Sequence, residues 1–160
     1  MKKILSLLVI GVFVVLMPAP LSAQSKTLTV TATVASYCQF DNAPLPFGTY
    51  TNTDVVAEGA IDFWCTDQTS WHMALDQGLY PATGSSDTAP LRQMASGSNR
   101  LRYDIYMDAG RTQIWGAGAA AAAILGHGAP WQAPVYGTIP GLQYKPVGNY
   151  TDTVVISITF

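Results

Sequence analysis

An all-β sandwich is the fold that this sequence predicts, and three observations carry it. Short runs in which apolar and polar residues alternate recur about every ten residues. Clusters of Asp, Asn, Gly, Pro, Ser and Thr separate them, and these residues favour turns. A helical pattern is nearly absent, since only the alanine-rich stretch 117–125 would suit one. Many short strands with regular turns argue packed antiparallel sheets.

The chain opens with Lys2 and Lys3, an apolar run from residue 4 to 17, then Pro18, Pro20 and Leu21-Ser22-Ala23. A charged start, an apolar centre and small residues at a cleavage site predict a secretory signal peptide over 1–23. The run is shorter than the ~20 residues that a bilayer span needs. No later segment is apolar enough to span, so the expected product is soluble and exported, without stable membrane insertion. Removing Lys2 and Lys3 from the 8 basic residues leaves 6 against 10 acidic ones, a formal charge of −4 instead of −2. That sign, with no basic cluster, argues against nucleic acid as a partner. Only 11% of residues are charged, so the polar surface has to come from Thr, Ser, Asn and Gln. Such a surface suits a protein that packs into an assembly.

The first strand signal is Thr27-Leu28-Thr29-Val30-Thr31-Ala32-Thr33-Val34, inside a leading segment 24–36. Side chains of a strand point to opposite faces in turn, so Leu28, Val30, Ala32 and Val34 share one face and the threonines the other. The branched Thr Cβ favours extended backbone. On pattern alone two readings stand: an ordinary first strand of its own sandwich, or a strand lent to a neighbouring molecule.

Cys38 and Cys65 are the only cysteines. In an oxidising compartment two cysteines most simply form one disulfide, with free thiols and metal ligation as the alternatives. Neither has a second Cys or His at ligand spacing, which disfavours metal. Between them Asp41-Asn42-Ala43-Pro44 predicts a turn, 46–50 a short extended piece, and Thr51-Asn52-Thr53-Asp54 a second turn. Residues 60–66 put Ile61, Phe63 and Cys65 on one face. After the turn Asp67-Gln68-Thr69-Ser70, the residues Trp71, Met73 and Leu75 alternate, and 78–90 reads as a loop. Leu101, Tyr103, Ile105 and Met107 alternate next. The stretch 117–125 is expected to be a surface loop with at most a short helix, because glycines crowd both its ends. The closing run places Tyr150, Asp152, Val154, Ile156, Ile158 and Phe160 on one face. No internal repeat or linker divides the mature chain, so 37–160 is expected to be one domain.

Chemistry is hard to place. Of the 2 histidines, His72 falls on the polar face of its strand and His127 lies between two glycines. No Gly-x-Ser-x-Gly or His-Glu-x-x-His pattern is present, and the acidic residues are scattered singly. No cofactor, metal site or catalytic set is expected, and the chain is not read as an enzyme. Asn149-Tyr150-Thr151 fits a glycosylation sequon. Of the 4 tryptophans, Trp71 is expected in the core. Trp64 is the best candidate for exposure or an interface. Trp115 and Trp131 flank the alanine stretch.

Three stretches together resemble the spore coat protein U domain family, the subunits of archaic chaperone–usher pili. Leu45-Pro46-Phe47-Gly48-Thr49-Tyr50 is similar to its Leu-x-Phe-Gly-x-Tyr. Residues 103–116, YDIYMDAGRTQIWG, are similar to Tyr-x-(Leu/Val)-Tyr-x-Asp-Ala-x-Arg-Thr followed by an aromatic. Residues 135–160 are similar to a closing Tyr-Gly-x-Ile-Pro, Gly-x-Tyr-x-Asp-Thr and alternating strand. The chain departs from the pattern in the alanine stretch and at Pro140-Gly141-Leu142-Gln143, both read as loop changes.

The resemblance implies an incomplete immunoglobulin-like β-sandwich completed by donor-strand exchange, with Cys38 and Cys65 at the family's disulfide. It implies that Leu28, Val30, Ala32 and Val34 act as donor strand, and that Val154, Ile156, Ile158 and Phe160 edge the receiving groove. In this reading the chain stops at a strand with nothing after it to close the sheet. The implied partners are identical or related pilin subunits, a periplasmic chaperone and an outer-membrane usher. The implied function is a pilin of a surface fibre that passes through the periplasm and supports adhesion and biofilm formation. A tip-proximal adhesin or coat-binding module is the alternative. Tip adhesins usually carry a second domain, for which this chain has no expected room. A secreted enzyme is the third reading.

Overall fold

The computed structural model describes residues 22–118, 122–125 and 131–160. Most of the signal-peptide expectation and His127 lie outside them. The chain divides after Ala32 into a leading unit and the unit Thr33–Phe160. In the leading unit, residues 22–32 carry no strand or turn, and Leu28 and Val30 are 88% and 83% exposed. Val34, just inside the second unit, is 84% exposed. The strand that the alternation predicts over 27–34 is therefore not formed here. A β-ladder needs a partner edge, and alternation supplies only the side-chain half of it.

The described strands, in chain order, are β1 (Cys38–Phe40), β2 (Val55–Cys65), β3 (Ser70–Leu75), β4 (Gln93–Ser96), β5 (Asn99–Arg102), β6 (Asp104–Tyr106), β7 (Ala122–Leu125), β8 (Trp131–Ile139) and β9 (Ile156–Thr159). They form a sheet in the order β1-β2-β8-β6, a second in the order β7-β3-β9, and the hairpin β4-β5. Every strand pair is antiparallel. The spine is the β2–β8 ladder, running from Val55 opposite Ile139 to Phe63 opposite Trp131.

Burial follows the period of two. Ile61, Phe63 and Cys65 of β2 and Trp71, Met73 and Leu75 of β3 point inward, while Asp62, Trp64 and His72 face out. Phe63 and Trp71 meet edge-on with ring centroids 4.7 Å apart, an arrangement that suits their quadrupoles. Trp115 is 1% exposed, and its Nε1 donates to the Met73 carbonyl at 3.0 Å. Trp115 thus packs in the core, whereas Trp131 is 38% exposed.

Three expectations are corrected. The alanine stretch is not simply a loop, because β7 pairs with β3 from Ser70 opposite Leu125 to Met73 opposite Ala122. The helix preference of alanine is a weak prior, and the unpaired edge of β3 outweighs it. The run Leu101 to Met107 is not one strand. Tyr103 separates β5, paired with β4, from β6, paired with β8, so the chain changes partner there. The strand expected from residue 60 begins at Val55. Three strands escaped the sequence altogether: β1, β4 and β8. In β8, Pro134 and Gly137 interrupt the strand signal.

Arg92 is buried at 1% exposure and makes no salt bridge among the described residues. Its Nε donates to the Asp76 carbonyl at 2.8 Å, and its Nη2 donates to the carbonyls of Leu75 at 3.2 Å and Trp115 at 2.8 Å. The side chain ties the end of β3 to the residues before β7. Burial lowers the Arg92 pKa, with opposing help from Tyr103 and nearby aspartates.

Candidate functional site: an open groove along the sheet edge

Inside Thr33–Phe160 a groove of about 1370 Å³, lined by both apolar and polar residues, lies over the core. Ile61, Val135 and Ile139 from the first sheet, Leu75 from the second, and Met94 and Leu101 from the hairpin reach into it. Two segments wall it, residues 42–50 and residues 145–154 with Ile156. In the second sheet β9 stands at an edge, paired only with β3 among the described residues, with Leu75 opposite Ile156. A strand edge without a second partner is a ready template for another strand.

The first wall is held by side chains, since it forms no strand. Leu45 and Phe47 lie so close over Gly137 that a Cβ there would come within 2.6 Å of Phe47 Cζ and 2.9 Å of Leu45 Cδ2. Only glycine leaves room for that approach. The Tyr50 hydroxyl donates to the Pro140 carbonyl at 3.1 Å and accepts the Gln143 N–H at 3.0 Å. The spacing Leu-x-Phe-Gly-x-Tyr thus has a physical reason: it fastens this wall to β8 and to the loop after it.

Polar contacts hold the second wall. Asp152 accepts the Tyr103 hydroxyl at 2.7 Å, and the N–H groups of Leu79 and Thr153 at 2.9 Å each. Burial, then the Asp152 carboxylate, pushes the Tyr103 pKa well up, so its phenol stays protonated and donates. Asp76 Oδ1 accepts the N–H groups of Gly78 and Val155, each at 2.9 Å. In the turn after β6, Asp108 accepts the N–H groups of Gln113 at 2.7 Å and Thr112 at 3.0 Å, which hold its carboxyl below the usual range. Arg111 sits over the Tyr136 ring, 5.7 Å from its centroid, and pairs with Glu58 at 3.4 Å.

Of the residues singled out from sequence, Cys38 and Cys65 form a disulfide that joins β1 to the end of β2. Val154 and Ile156 line the groove, and with Ile158 they are half-buried against the core. Phe160 is 57% exposed. Leu45, Phe47, Tyr103 and Asp152 were not singled out as site residues. Their signal lay in the quoted motifs, which marked the family without saying what each residue holds. Among the described residues no group of three or more His, Cys, Asp or Glu could hold a metal ion.

The sequence model of the Spore Coat Protein U domain matches residues 24–157. The chain belongs to the Spore Coat Protein U domain family. It is 37% identical over 158 residues to Protein U of Myxococcus xanthus, covering 89% of this chain and 88% of that protein. Its fold is similar to that of a chain in the crystal structure of the CsuC–CsuE chaperone–tip adhesion subunit pre-assembly complex, from the archaic chaperone–usher Csu pili of Acinetobacter baumannii. The TM-score is 0.58 at 22% identity, over 80% of this chain and 40% of that one. This likeness concerns the fold, an all-β immunoglobulin-like sandwich with no α-helix among the described residues.

Proposed function

We propose that this Spore Coat Protein U domain chain is a structural subunit, a pilin, of a surface fibre built by donor-strand exchange. Leu28, Val30, Ala32 and Val34 of one copy enter the groove of another, beside Val154, Ile156, Ile158 and Phe160. The observation that carries the reading is the groove itself, floored by core aliphatic side chains and bordered by β9, which has no second strand partner among the described residues. The exposed alternation of residues 28–34 supplies an insert with the matching period. Backbone bonds to β9 give affinity, and alternate side chains filling the groove give specificity. An open strand edge is an aggregation hazard, so a chaperone is required to cover it before assembly at an outer-membrane usher. Residues 1–23 direct export to the periplasm, and the finished fibre stands at the cell surface in adhesion and biofilm formation.

A synthetic peptide of residues 24–36, offered to the chain carrying Val30→Asp, tests this. That chain's own leading segment is disabled while its groove is intact. Binding with the peptide at about 100 times its Kd adds ~2.7 kcal/mol of stability. The expected rise in Tm is about 5–15 °C for a domain of this size. The same peptide with aspartate at position 30 should leave Tm unchanged. Equal shifts from both peptides would count against the groove.

A further inference from the structure

The loop after β8 is tied down by hydrogen bonds and presents apolar side chains to water. Four successive N–H groups are held by one neighbouring segment. Gly141 donates to Asp54 Oδ1 at 2.6 Å, Leu142 to the Asn52 carbonyl at 2.8 Å, Gln143 to the Tyr50 hydroxyl at 3.0 Å, and Tyr144 to Asn52 Oδ1 at 3.0 Å. Within this frame Leu142 and Tyr144 take left-handed backbone, at φ 60° and 41°. Bulky residues rarely adopt it, and such strain persists where the surroundings over-determine it. The result serves no packing inside the chain: Leu142 and Tyr144 are each 73% exposed and Val147 is fully exposed. Lys145, Pro146 and Val147 already line the groove, so this apolar loop stands at its rim.

A second apolar surface lies at the root of the leading segment. Tyr37 and Trp64 are 49% and 37% exposed, with ring centroids 5.5 Å apart. Tyr37 is pinned, because its N–H donates to Thr66 Oγ1 at 3.0 Å and its carbonyl accepts the Thr66 N–H at 2.8 Å. From Val34 to Tyr37 the chain reaches at most about 11 Å. Antiparallel pairing is the commoner geometry. A strand running against β9 leaves its Val34 end at the start of β9, beside residues 145–152. The short connection then brings Tyr37 and Trp64 of the inserting copy to the rim of the receiving one.

We infer that Leu142, Tyr144 and Val147 form a second contact between copies, receiving the Tyr37–Trp64 pair of the copy whose leading segment fills the groove. This rests on the strand-exchange reading. The contact fixes the angle between neighbours and stiffens the fibre, while the inserted strand provides the linkage.

Photo-crosslinking tests it, using full-length chains with Tyr144→p-benzoylphenylalanine assembled into fibres. Adducts are expected on peptides spanning 37–40 or 62–66 of a second copy, and none between chains that carry Val30→Asp. Fibres of Leu142→Ser/Tyr144→Ser, and separately of Trp64→Ser, are expected to form in normal yield with at least a threefold shorter persistence length in electron micrographs. Normal fibres whose adducts map elsewhere, or whose stiffness survives both variants, would overturn the contact and leave strand exchange standing. Variants that stay stiff and instead lose adsorption to polystyrene would also overturn it, assigning the loop to an outside surface. Absence of any fibre sensitive to Val30→Asp would remove both readings.

Discussion

A chain carrying Val30→Asp is expected to fold with an unchanged Tm and to form no fibres. Val30 sits mid-way along the exposed alternation and is 83% exposed, so the folded unit loses nothing when it is replaced. Inside a neighbour's groove the same position would face aliphatic side chains such as Ile61, Val135 and Ile139. Losing the buried valine forfeits about 1.5–3 kcal/mol. Burying an unpaired carboxylate costs several kcal/mol more. Together these exceed three decades in affinity, at 1.4 kcal/mol per decade. Sedimentation and electron microscopy of chaperone-released subunits would show monomers only. Thr31→Asp is the matched control, since the outward face of the strand meets solvent, and its fibres should assemble normally. Fibres of normal length from Val30→Asp would refute the exchange.

Replacing both Cys38 and Cys65 by serine is expected to cost about 3.5 kcal/mol. The bond closes a loop with a sequence separation of 27, and loop-closure entropy gives that figure. It is a large share of the ~5–15 kcal/mol of a typical domain. For this domain the Tm should fall by about 10–20 °C. The loss is also local. β1 has three residues and pairs only with β2 among the described strands, so without the bond a short ladder and the hydrogen bonds to Thr66 and Asp62 are what hold it. The root of the leading segment at Tyr37 should then fray, and protease cleavage between residues 34 and 45 should rise. A destabilisation under ~1 kcal/mol in thermal unfolding would contradict this account.

The sequence made the inward faces of β2 and β3 legible, because each strand buries one face and shows the other to water. Ile61, Phe63 and Cys65, and Trp71, Met73 and Leu75, therefore alternate cleanly. It hid β8, whose Gly137 is present for the sake of Leu45 and Phe47 and whose Pro134 breaks the strand signal. Nor could local pattern show that an alanine run would pair with β3, since that depends on an edge distant in sequence. Arg92 was invisible for a similar reason: a charged residue reads as surface unless the carbonyls that satisfy it are known. For the site, alternation made it readable that Val154, Ile156 and Ile158 share one face, which the structure packs against the core. The wall 42–50 was not recognised, because it is held by packing and single hydrogen bonds and has no ladder period.

Fibres grown from an equal mixture of two differently labelled chains give the most direct answer. Solid-state NMR on such a mixture separates contacts between copies from contacts within one. Cross-peaks linking Val30 of one label to Ile156 of the other are what strand exchange predicts. Val30–Ile156 contacts confined to a single label would mean that each chain fills its own groove, and would contradict it.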